Sequence, residues 1–260
     1  MKIDMHCHVH EGSVDSKVHL AEYIDILREK GISGMLVTDH DTYNGYRAWK
    51  NLCKNEKYKD FVVLQGIEYD TLDAGHILVI MPAGTKMRIL ELRGMPLVQL
   101  MRVVHRNGGI LGPAHPGGGK FLSFGNSVEG RSKSRIIGQF DFVEGFNACE
   151  TEKSNQYAQR LALKYGLPMV GGSDAHNPRC VGLGYTEFEE DVRTEDDLIR
   201  MSRKKKSAVG KGGYYGHTLK KRMGPFGELL NYLYFLYNYE EAVRHSKKRE
   251  ETLRKEAPDE

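Results

Sequence analysis

The sequence predicts an α/β fold in which a parallel sheet closes into a barrel, and three observations support this prediction. Short apolar runs alternate with stretches of helical periodicity, which is the pattern of strand–helix–strand units. About seven such runs are present, enough for one closed barrel in a chain of 260 residues. Histidines and acidic residues lie at the ends of these runs, where the loops of a barrel build its active site.

The predicted elements follow one another in a regular order. The first helix has apolar residues at Leu20, Ile24 and Leu27 and ends at Gly31, so it connects the first two strands. The predicted strands span 2–5, 32–37, 61–64, 76–81, 110–113, 140–146 and 167–172. The predicted helices span 18–30, 95–106 and 153–165, with a further helical segment through Trp49 and Leu52.

The composition is that of a globular protein. Hydrophobic residues make up 40% of the chain and charged residues 28%, unlike disordered or collagen-like sequences. The net charge of +3 is too small to favour nucleic-acid binding through a global field. No run of eighteen apolar residues and no apolar signal-peptide core is present, so a cytoplasmic protein is expected. The four cysteines lack C-x-x-C spacing and are expected to be reduced thiols.

The chain is predicted to divide into a barrel (1–208) and a basic, aromatic helical extension (209–260). Nine basic residues and no acidic one lie from Arg200 to Arg222, and 226–239 is unusually aromatic. Helical spacing continues through four apolar residues, Leu229, Leu233, Leu236 and Val243. We expect this helix to pack on the barrel or at the subunit interface of a homo-oligomer, with contact to a membrane surface as the minor alternative.

Two histidines at the end of the first strand are placed to share one metal ion. His6 and His8 are separated by one residue, and side chains alternate along a strand, so both imidazoles leave the same face. Five more histidines and acidic residues follow later strands: His40, Glu68, His115, Asp174 and His176. His76 instead begins its strand. Imidazole and carboxylate ligands suit zinc, manganese or iron, and their number exceeds the four that one ion needs, so more than one metal is implied.

These residues lie in motifs that resemble those of the PHP (polymerase and histidinol phosphatase) superfamily. In order, the motifs are His-Cys-His at 6–8, Thr-Asp-His-Asp at 38–41, Gly-Ile-Glu at 66–68, Ala-His-Pro at 114–116 and Gly-Gly-Ser-Asp-Ala-His at 171–176. The resemblance spans residue 1 to about residue 208, and the continuation of the last motif through Tyr185 and Thr186 is similar to the stand-alone phosphoesterases of the superfamily. It implies a distorted (β/α)7 barrel with a trinuclear metal centre.

The resemblance also implies a role for each ligand. The first ion would be held by His6, His8, Glu68 and Asp174. Glu68 would bridge to a second ion, which His115 and His76 would also hold. The third ion would take His40, His176 and one ligand from the first loop.

The first loop departs from the superfamily pattern. The superfamily usually carries Ser-Asp-Gly a few residues after the His-x-His pair, whereas this chain reads His-Glu-Gly-Ser-Val-Asp-Ser at 10–16. Counting back from the helix end at Gly31 places Asp15 at the position of the superfamily aspartate, in a loop two residues longer. We therefore favour Asp15, while His10 and Glu11 remain alternatives.

Five further residues near the strand ends carry groups that a site can use. Glu144 and Asn147 lie where superfamily members carry further site groups, although a solvated position on the barrel rim explains them equally well. Cys149 is better explained as a structural residue. Lys120, after a run of glycines, and Arg179, after the last motif, are candidates for binding a substrate phosphate.

The predicted function is hydrolysis of a small phosphomonoester or a nucleotide phosphate. Divalent cations can neutralise phosphate charge and activate a water, so the reaction needs no protein nucleophile. An amidohydrolase-like metal hydrolase is an alternative, but Glu68 and the Asp174–His176 pair do not fit its pattern. A nuclease or nucleic-acid-binding module would use the basic residues at 200–222 on backbone phosphates. An inactive scaffold is disfavoured because the ligand set is nearly complete.

Overall fold

The chain has a mixed α/β fold, for which a computed structural model describes residues 1–118, 122–127, 130, 134–205, 208–216 and 224–256. The described strands are β1 (Lys2–Cys7), β2 (Gly34–Val37), β3 (Val62–Gln65), β4 (Ile67–Asp70), β5 (His76–Ile80), β6 (Ile110–Pro113), β7 (Val143–Asn147), β8 (Met169–Gly172), β9 (Gly184–Phe188) and β10 (Ala208–Gly212). The helices with described bounds are α1 (Leu20–Glu29), α2 (Asn44–Leu52), α3 (Leu97–Arg106), α4 (Ser134–Ile137), α5 (Glu152–Tyr165), α6 (Glu195–Arg203), α7 (Gly224–Arg244) and α8 (Ser246–Glu256).

The described strands lie in three sheets. The largest has the order β10-β9-β1-β2-β3, in which β1, β2 and β3 are parallel while β9 pairs antiparallel with β1 and β10. Strands β4, β5 and β6 form an antiparallel sheet, and β7 and β8 form a parallel pair. Isolated backbone bridges join His40 to Glu68 and Cys7 to Ala175. Within the described residues, the strand ladders do not join into a closed barrel.

The expectation of a parallel sheet is wrong for the predicted strands β5 and β6, which pair antiparallel. Only residues 71–75 separate β4 from β5, too few for the crossover that a parallel pair requires, so the two strands form a hairpin. In its loop, Gly75 adopts a left-handed φ of +72°, which glycine accepts without strain. Glu68 therefore lies inside β4, and not directly after β3 as predicted. The other predicted elements are found with bounds that differ by a few residues, whereas β4, β9 and β10, which all pair antiparallel, were not predicted.

The hairpin register explains the unusual position of His76. Asp70 at the end of β4 pairs with His76 at the start of β5. Because β5 runs opposite to β4, the beginning of β5 lies at the same end of the molecule as the ends of β4 and of the parallel strands. His76 therefore lies beside the candidate site residues that follow other strands, although it begins its own strand.

Helix α1 packs one face on the large sheet. Its buried side chains recur at helical spacing: Leu20, Tyr23, Ile24 and Leu27. They belong to a cluster that includes Cys7 of β1 and Val37 of β2. Burying each leucine or isoleucine contributes about 1.5–3 kcal/mol. This helix face therefore holds β1 and β2 together, and with them the histidines at the end of β1. The four cysteines, all within the described residues, form no disulfide.

The C-terminal helix α7 packs on the protein through a different face from the one that its leucine spacing marks. Ala242 is buried, whereas the four apolar residues that define the spacing are exposed: Leu229, Leu233, Leu236 and Val243. None of the described helices is both long and apolar enough to cross a membrane. The predicted division near residue 208 stays a prediction, and residues Ala208–Gly212 form β10 beside β9.

The contact between β8 and β1 yields a test of the packing that positions the site. A Cβ atom on Gly172 would lie 2.4 Å from the Cβ of His6 and 2.5 Å from its backbone nitrogen, which is closer than real atoms approach. Gly172→Ala should therefore push the strands apart and lower the free energy of unfolding by about 1–3 kcal/mol, measured by urea denaturation.

Gly213→Ala is the matched control, because nothing lies within 4 Å of its Cβ position. It should change the free energy of unfolding by less than about 0.5 kcal/mol. Equal stability of the two variants would contradict close packing of β8 on β1.

Candidate metal centre

His6 and His8 lie side by side at the carboxyl end of β1 and are fully buried. Their Nε2 atoms are 3.1 Å apart, and they lie 3.2 Å and 3.1 Å from the same oxygen of Glu68. Asp174 Oδ1 lies 3.7 Å from His6 Nε2 and 3.4 Å from His8 Nε2. Two ligand atoms of one tetrahedral ion, each at about 2.1 Å, are separated by about 3.4 Å. The spacing of these four side chains therefore fits a single ion.

The carboxylate of Glu68 lies between two groups of imidazoles. Its Oε2 atom faces His6 and His8, whereas Oε1 lies 2.8 Å from His76 Nδ1 and 3.0 Å from His115 Nε2. The Glu68 side chain is only 1% exposed, so these contacts lie away from bulk water. A carboxylate that offers one oxygen to each group has the geometry of a bridging ligand.

A third group of ligand atoms lies next to His8 and is more open to solvent. The rings of His40 and His176 stack on the His8 ring, with centroids 4.7 Å and 4.4 Å away. Asp15 Oδ2 lies 3.1 Å from His176 Nε2 and 3.8 Å from His40 Nε2. The side chain of Asp15 is 51% exposed and that of His176 is 32% exposed, so this group faces the opening of the site.

The first loop directs its other two candidate ligands elsewhere. Glu11 accepts a hydrogen bond of 3.0 Å from the backbone nitrogen of Leu20, the first residue of α1. His10 Nδ1 lies 3.1 Å from the carbonyl oxygen of Ser16. Of the three alternatives in this loop, Asp15 is the one that the structure places against His40 and His176.

Asp70 is a site residue that the sequence analysis missed. Its Oδ1 atom lies 2.9 Å from His76 Nε2 and 3.5 Å from His40 Nδ1, and Arg93 Nη2 lies 3.2 Å from its other oxygen. Glu68 and Asp70 are separated by one residue on β4, just as His6 and His8 are separated near the end of β1. This alternate spacing is the signal in the sequence that identifies Asp70.

Glu144 and Asn147 are both buried, so they do not lie on a solvated rim. They contact the candidate ligands from the interior of the protein. Glu144 Oε1 lies 2.9 Å from His6 Nδ1, which leaves Nε2 free to face Glu68. Its Oε2 atom accepts hydrogen bonds from the backbone nitrogen of His115 (2.5 Å) and from Asn147 Nδ2 (3.1 Å). Carboxylates commonly orient metal-binding imidazoles in this way. Cys149 makes a structural contact, because its thiol donates to the carbonyl oxygen of Asp174.

The described structure does not test the role of the two predicted phosphate-binding residues. Lys120 lies outside the described residues. Arg179 is exposed, and its backbone nitrogen donates to Asn177 Oδ1. Their contacts with a substrate stay predictions.

Burial and charge act against each other in this site. Burial alone would lower the pKa of His6, but the carboxylates of Glu144 and Glu68 hold that pKa well above its usual value. The same opposition between burial and nearby carboxylates raises the pKa of His8 to about 9 and that of His76 to about 10. Burial would raise the pKa of Glu68, but the surrounding imidazoles hold it well below its usual value. The carboxylates of this site are therefore stabilised by positive charge.

The donor set fits divalent metal ions. His40 Nδ1 is buried and lies 3.4 Å from Glu68 Oε2 and 3.5 Å from Asp70 Oδ1 without a hydrogen bond of normal geometry to either, although buried polar atoms are nearly always paired. Four groups of three side chains have ligand atoms within 4.8 Å of one another: His8, His40 and His176; His6, His8 and Glu68; His40, Asp70 and His76; and Glu68, His76 and His115. Imidazole nitrogens and carboxylate oxygens in such clusters suit zinc, manganese or iron.

The chain is similar to a protein family and to several solved structures. Residues 152–207 match the family model described as PHP-associated. None of the curated proteins matches the chain. Among solved structures, PsfC from Pseudomonas syringae is similar, with a TM-score of 0.59 and 19% identity over 91% of this chain and 98% of PsfC.

Two further structures share the fold. One is a two-domain protein from Bacteroides vulgatus that contains a predicted PHP-like metal-dependent phosphoesterase, with a TM-score of 0.58 and 18% identity over 82% of this chain. The chain spans 65% of the length of that protein. The other is Endonuclease Q bound to a duplex with an abasic lesion, with a TM-score of 0.56 and 18% identity over 80% of this chain and 57% of that one. At these identities the similarities show the fold alone.

The bridging geometry of Glu68 predicts an effect on metal content. Glu68→Gln should lower the metal content by more than one ion per chain, because a neutral amide with a single oxygen cannot serve two cations. The content is measured by mass spectrometry of the purified protein after reloading with zinc or manganese. Glu189→Gln changes an exposed carboxylate outside the site and should leave the content unchanged. Loss of no more than one ion from Glu68→Gln would argue against a bridging role.

The position of Asp15 predicts a second, more selective effect. Asp15→Asn should weaken the binding of one ion by at least about 10-fold and leave the others in place, as titration calorimetry with zinc would show. Glu11→Gln should bind metal like the wild type, because its amide oxygen still accepts from Leu20. The reverse ranking would make Glu11 the loop ligand, and His10→Asn tests the remaining alternative in the same assay.

Proposed function

We propose that this chain is a metal-dependent phosphoesterase of the PHP superfamily that hydrolyses a small phosphomonoester or a nucleotide phosphate. The observation that carries the proposal is the convergence of four imidazoles on the two oxygens of the buried Glu68 carboxylate. The match to the PHP-associated family over 152–207 and the PHP-like metal-dependent phosphoesterase among the similar structures support it.

We propose that the site holds three divalent cations, with zinc, manganese and iron as the candidates. His6, His8, Glu68 and Asp174 would hold the first. Glu68, His76 and His115 would hold the second. His40, His176 and Asp15 would hold the third. Cations this close together neutralise phosphate charge, lower the pKa of a bound water toward neutrality and stabilise the leaving oxygen.

The residues of the chain orient the ligands and exclude water from them. Glu144 accepts from His6 Nδ1 and so directs Nε2 into the site. Arg93 pairs with Asp70 and balances its charge beside His76. Burial of these groups strengthens every electrostatic interaction among them, because water does not screen the charges. A phosphate group would enter on the side of His176, the most exposed of the candidate histidine ligands.

We also propose that the three sheets are parts of one distorted (β/α)7 barrel with the site at its mouth. The bridges between His40 and Glu68 and between Cys7 and Ala175 connect neighbouring sheets beside the site. The backbone nitrogen of Asp174 donates to the carbonyl oxygen of His6 at 2.9 Å, next to the second bridge. In such a barrel, residues distant in sequence meet because the strand ends converge.

A nucleic-acid substrate is the second candidate, suggested by the fold shared with Endonuclease Q and by the basic residues at 200–222. Three of these basic residues are engaged within the protein. Arg200 pairs with Asp197, Arg203 donates to the carbonyl oxygen of Gly108, and Lys211 pairs with Glu187. The basic surface available to a phosphate backbone is thereby reduced, which favours a small substrate.

A phosphate-release screen tests the proposed function. Protein reloaded with zinc or manganese should release phosphate from small phosphomonoesters or nucleotides, and a chelator should abolish this activity until metal is restored. Glu68→Gln should lower kcat/KM by more than about 100-fold, because loss of a ligand should exceed the 10- to 100-fold effect of losing a group that only orients one. Glu189→Gln is the control and should retain the wild-type value.

Other outcomes of the screen would overturn the proposal. Cleavage of oligonucleotides without release of phosphate from small esters would favour the nuclease. Hydrolysis of amides alone would favour an amidohydrolase. Wild-type turnover by Glu68→Gln would exclude the assigned site.

A further inference from the structure

Helix α7 has two opposite faces, and one of them contacts the rest of the protein. On that face Ala242 is 2% exposed and lies directly against Gly94, since a Cβ atom on Gly94 would be 2.2 Å from that of Ala242. One turn earlier, Asn238 Oδ1 accepts a hydrogen bond of 2.8 Å from Arg93. Residues 238 and 242 are four apart, so this face is a narrow stripe along the helix.

The opposite face of α7 carries large apolar side chains that are exposed by 43% to 56%: Leu229, Tyr232, Leu233, Leu236, Tyr237, Tyr239 and Val243. Five of them follow one another in alternating steps of three and four residues: Leu229, Tyr232, Leu236, Tyr239 and Val243. This is the spacing of the a and d positions that form the seam between two packed helices. We call these seven residues the apolar face of α7.

The sequence of the apolar face is nearly symmetric about Leu236. Leu229 and Val243 lie seven residues to either side of it, and Leu233 and Tyr239 lie three residues to either side. When two identical helices cross antiparallel at this point, each residue lies opposite the one at the same distance on the other side. Apolar side chains then oppose apolar side chains at all of these positions, which is the self-complementarity that a twofold interface requires.

The area of the apolar face suits a stable interface. Half-exposed leucine, tyrosine and valine side chains offer roughly 100 Å² each, so the seven together offer about 700 Å² per chain. Specific protein interfaces bury about 800 Å² on each partner. Monomeric proteins seldom expose a contiguous apolar patch of this size without using it.

The charges of α7 argue against a membrane surface as the occupant. Helices that lie on membranes carry lysines and arginines on their polar face. Arg244 is the one basic residue in the sequence of α7, and it pairs with Glu240 (3.3 Å) and Glu241 (2.7 Å). On the side opposite the apolar face, Ala242 packs on Gly94 and Asn238 accepts from Arg93, so these two positions face the protein.

We propose that the apolar face of α7 is the interface of a homodimer, in which the helices of two copies pack antiparallel with Leu236 at the twofold axis. The interface lies close to the candidate metal centre. Tyr237 belongs to the apolar face, and the Arg93 guanidinium lies 5.7 Å from its ring centroid. Arg93 also pairs with Asp70, which lies 2.9 Å from His76.

The oligomeric state of the full chain tests this proposal. The wild type should be a dimer by light scattering and sedimentation, with a Kd below about 10 μM. Leu236→Glu would place two carboxylates face to face at the axis, and it should weaken dimerisation by at least about 100-fold. Leu163→Glu is the matched control, because Leu163 is 71% exposed on α5, outside the apolar face, and this variant should remain a dimer. Circular dichroism of both variants separates a loss of dimerisation from a loss of fold.

Cross-linking tests the antiparallel arrangement. Leu236→Cys should form a disulfide with its twin under mild oxidation, since both copies lie at the axis. Leu229→Cys should not, because the two copies of residue 229 would be about 21 Å apart along the helices, and a disulfide needs Cα atoms within about 7 Å. A mixture of Leu229→Cys and Val243→Cys should cross-link, and wild-type protein controls for the native cysteines.

Four results would overturn the proposal. They are a wild type that stays monomeric at about 100 μM, a dimer that Leu236→Glu does not dissociate, cross-linking of Leu229→Cys with itself, and a monomer that binds vesicles of phosphatidylcholine and phosphatidylglycerol. The last result would make a membrane the occupant of the apolar face.

Discussion

The Glu68 carboxylate is the group on which the arrangement of the site depends. Each of its oxygens faces two imidazoles within 3.2 Å, although the side chain is almost completely buried. Removing charged groups from water costs several kcal/mol per ion, and this cost is offset only when the partners are correctly placed. Breaking one partner away from such a buried pair costs about 3–5 kcal/mol. The surrounding strands therefore have to place their imidazoles around β4, which carries Glu68.

The backbone around β4 satisfies this constraint at the cost of local strain. The nitrogen of Glu68 donates to the carbonyl oxygen of Thr38, and the bridge to His40 fixes β4 against the end of β2. Three of the four non-glycine residues with positive φ in the described chain lie beside the site: Asp41 at 49°, His115 at 31° and Asp174 at 52°. Such conformations cost about 1–3 kcal/mol each and persist where the surrounding contacts impose them. The strain is concentrated in residues that lie beside the candidate site.

The candidate ligands could be identified from the sequence because each lies at a strand end or shares the alternate spacing of a neighbour. His6 and His8 needed only the two-residue period of a strand. The antiparallel hairpin of β4 and β5 was not predicted. An apolar run marks a strand, but it does not show whether a short hairpin loop or a long crossover connects that strand to the next one. Without that hairpin, only the family resemblance placed His76 with Glu68, and the role of Asp70 was missed. Periodicity also predicted helix α7 but not which face packs inward, since that choice depends on the close approach of Ala242 to Gly94.

Arg93 connects helix α7 to the candidate metal centre. Asp41 and Asp70 are both buried, and burial together with the charge of Asp70 holds the pKa of Asp41 well above its usual value. Arg93 lies between the two carboxylates, with Nη2 at 3.0 Å from Asp41 and at 3.2 Å from Asp70. Its remaining terminal nitrogen donates to Asn238 of α7, and Arg249 of α8 binds its carbonyl oxygen. A guanidinium has a fixed planar fork of donors, so a partner on each side holds its orientation as well as its position. The C-terminal helices therefore help to hold the Arg93 guanidinium, whose charge balances Asp70. They contribute to the site although they lie outside the region of sequence resemblance.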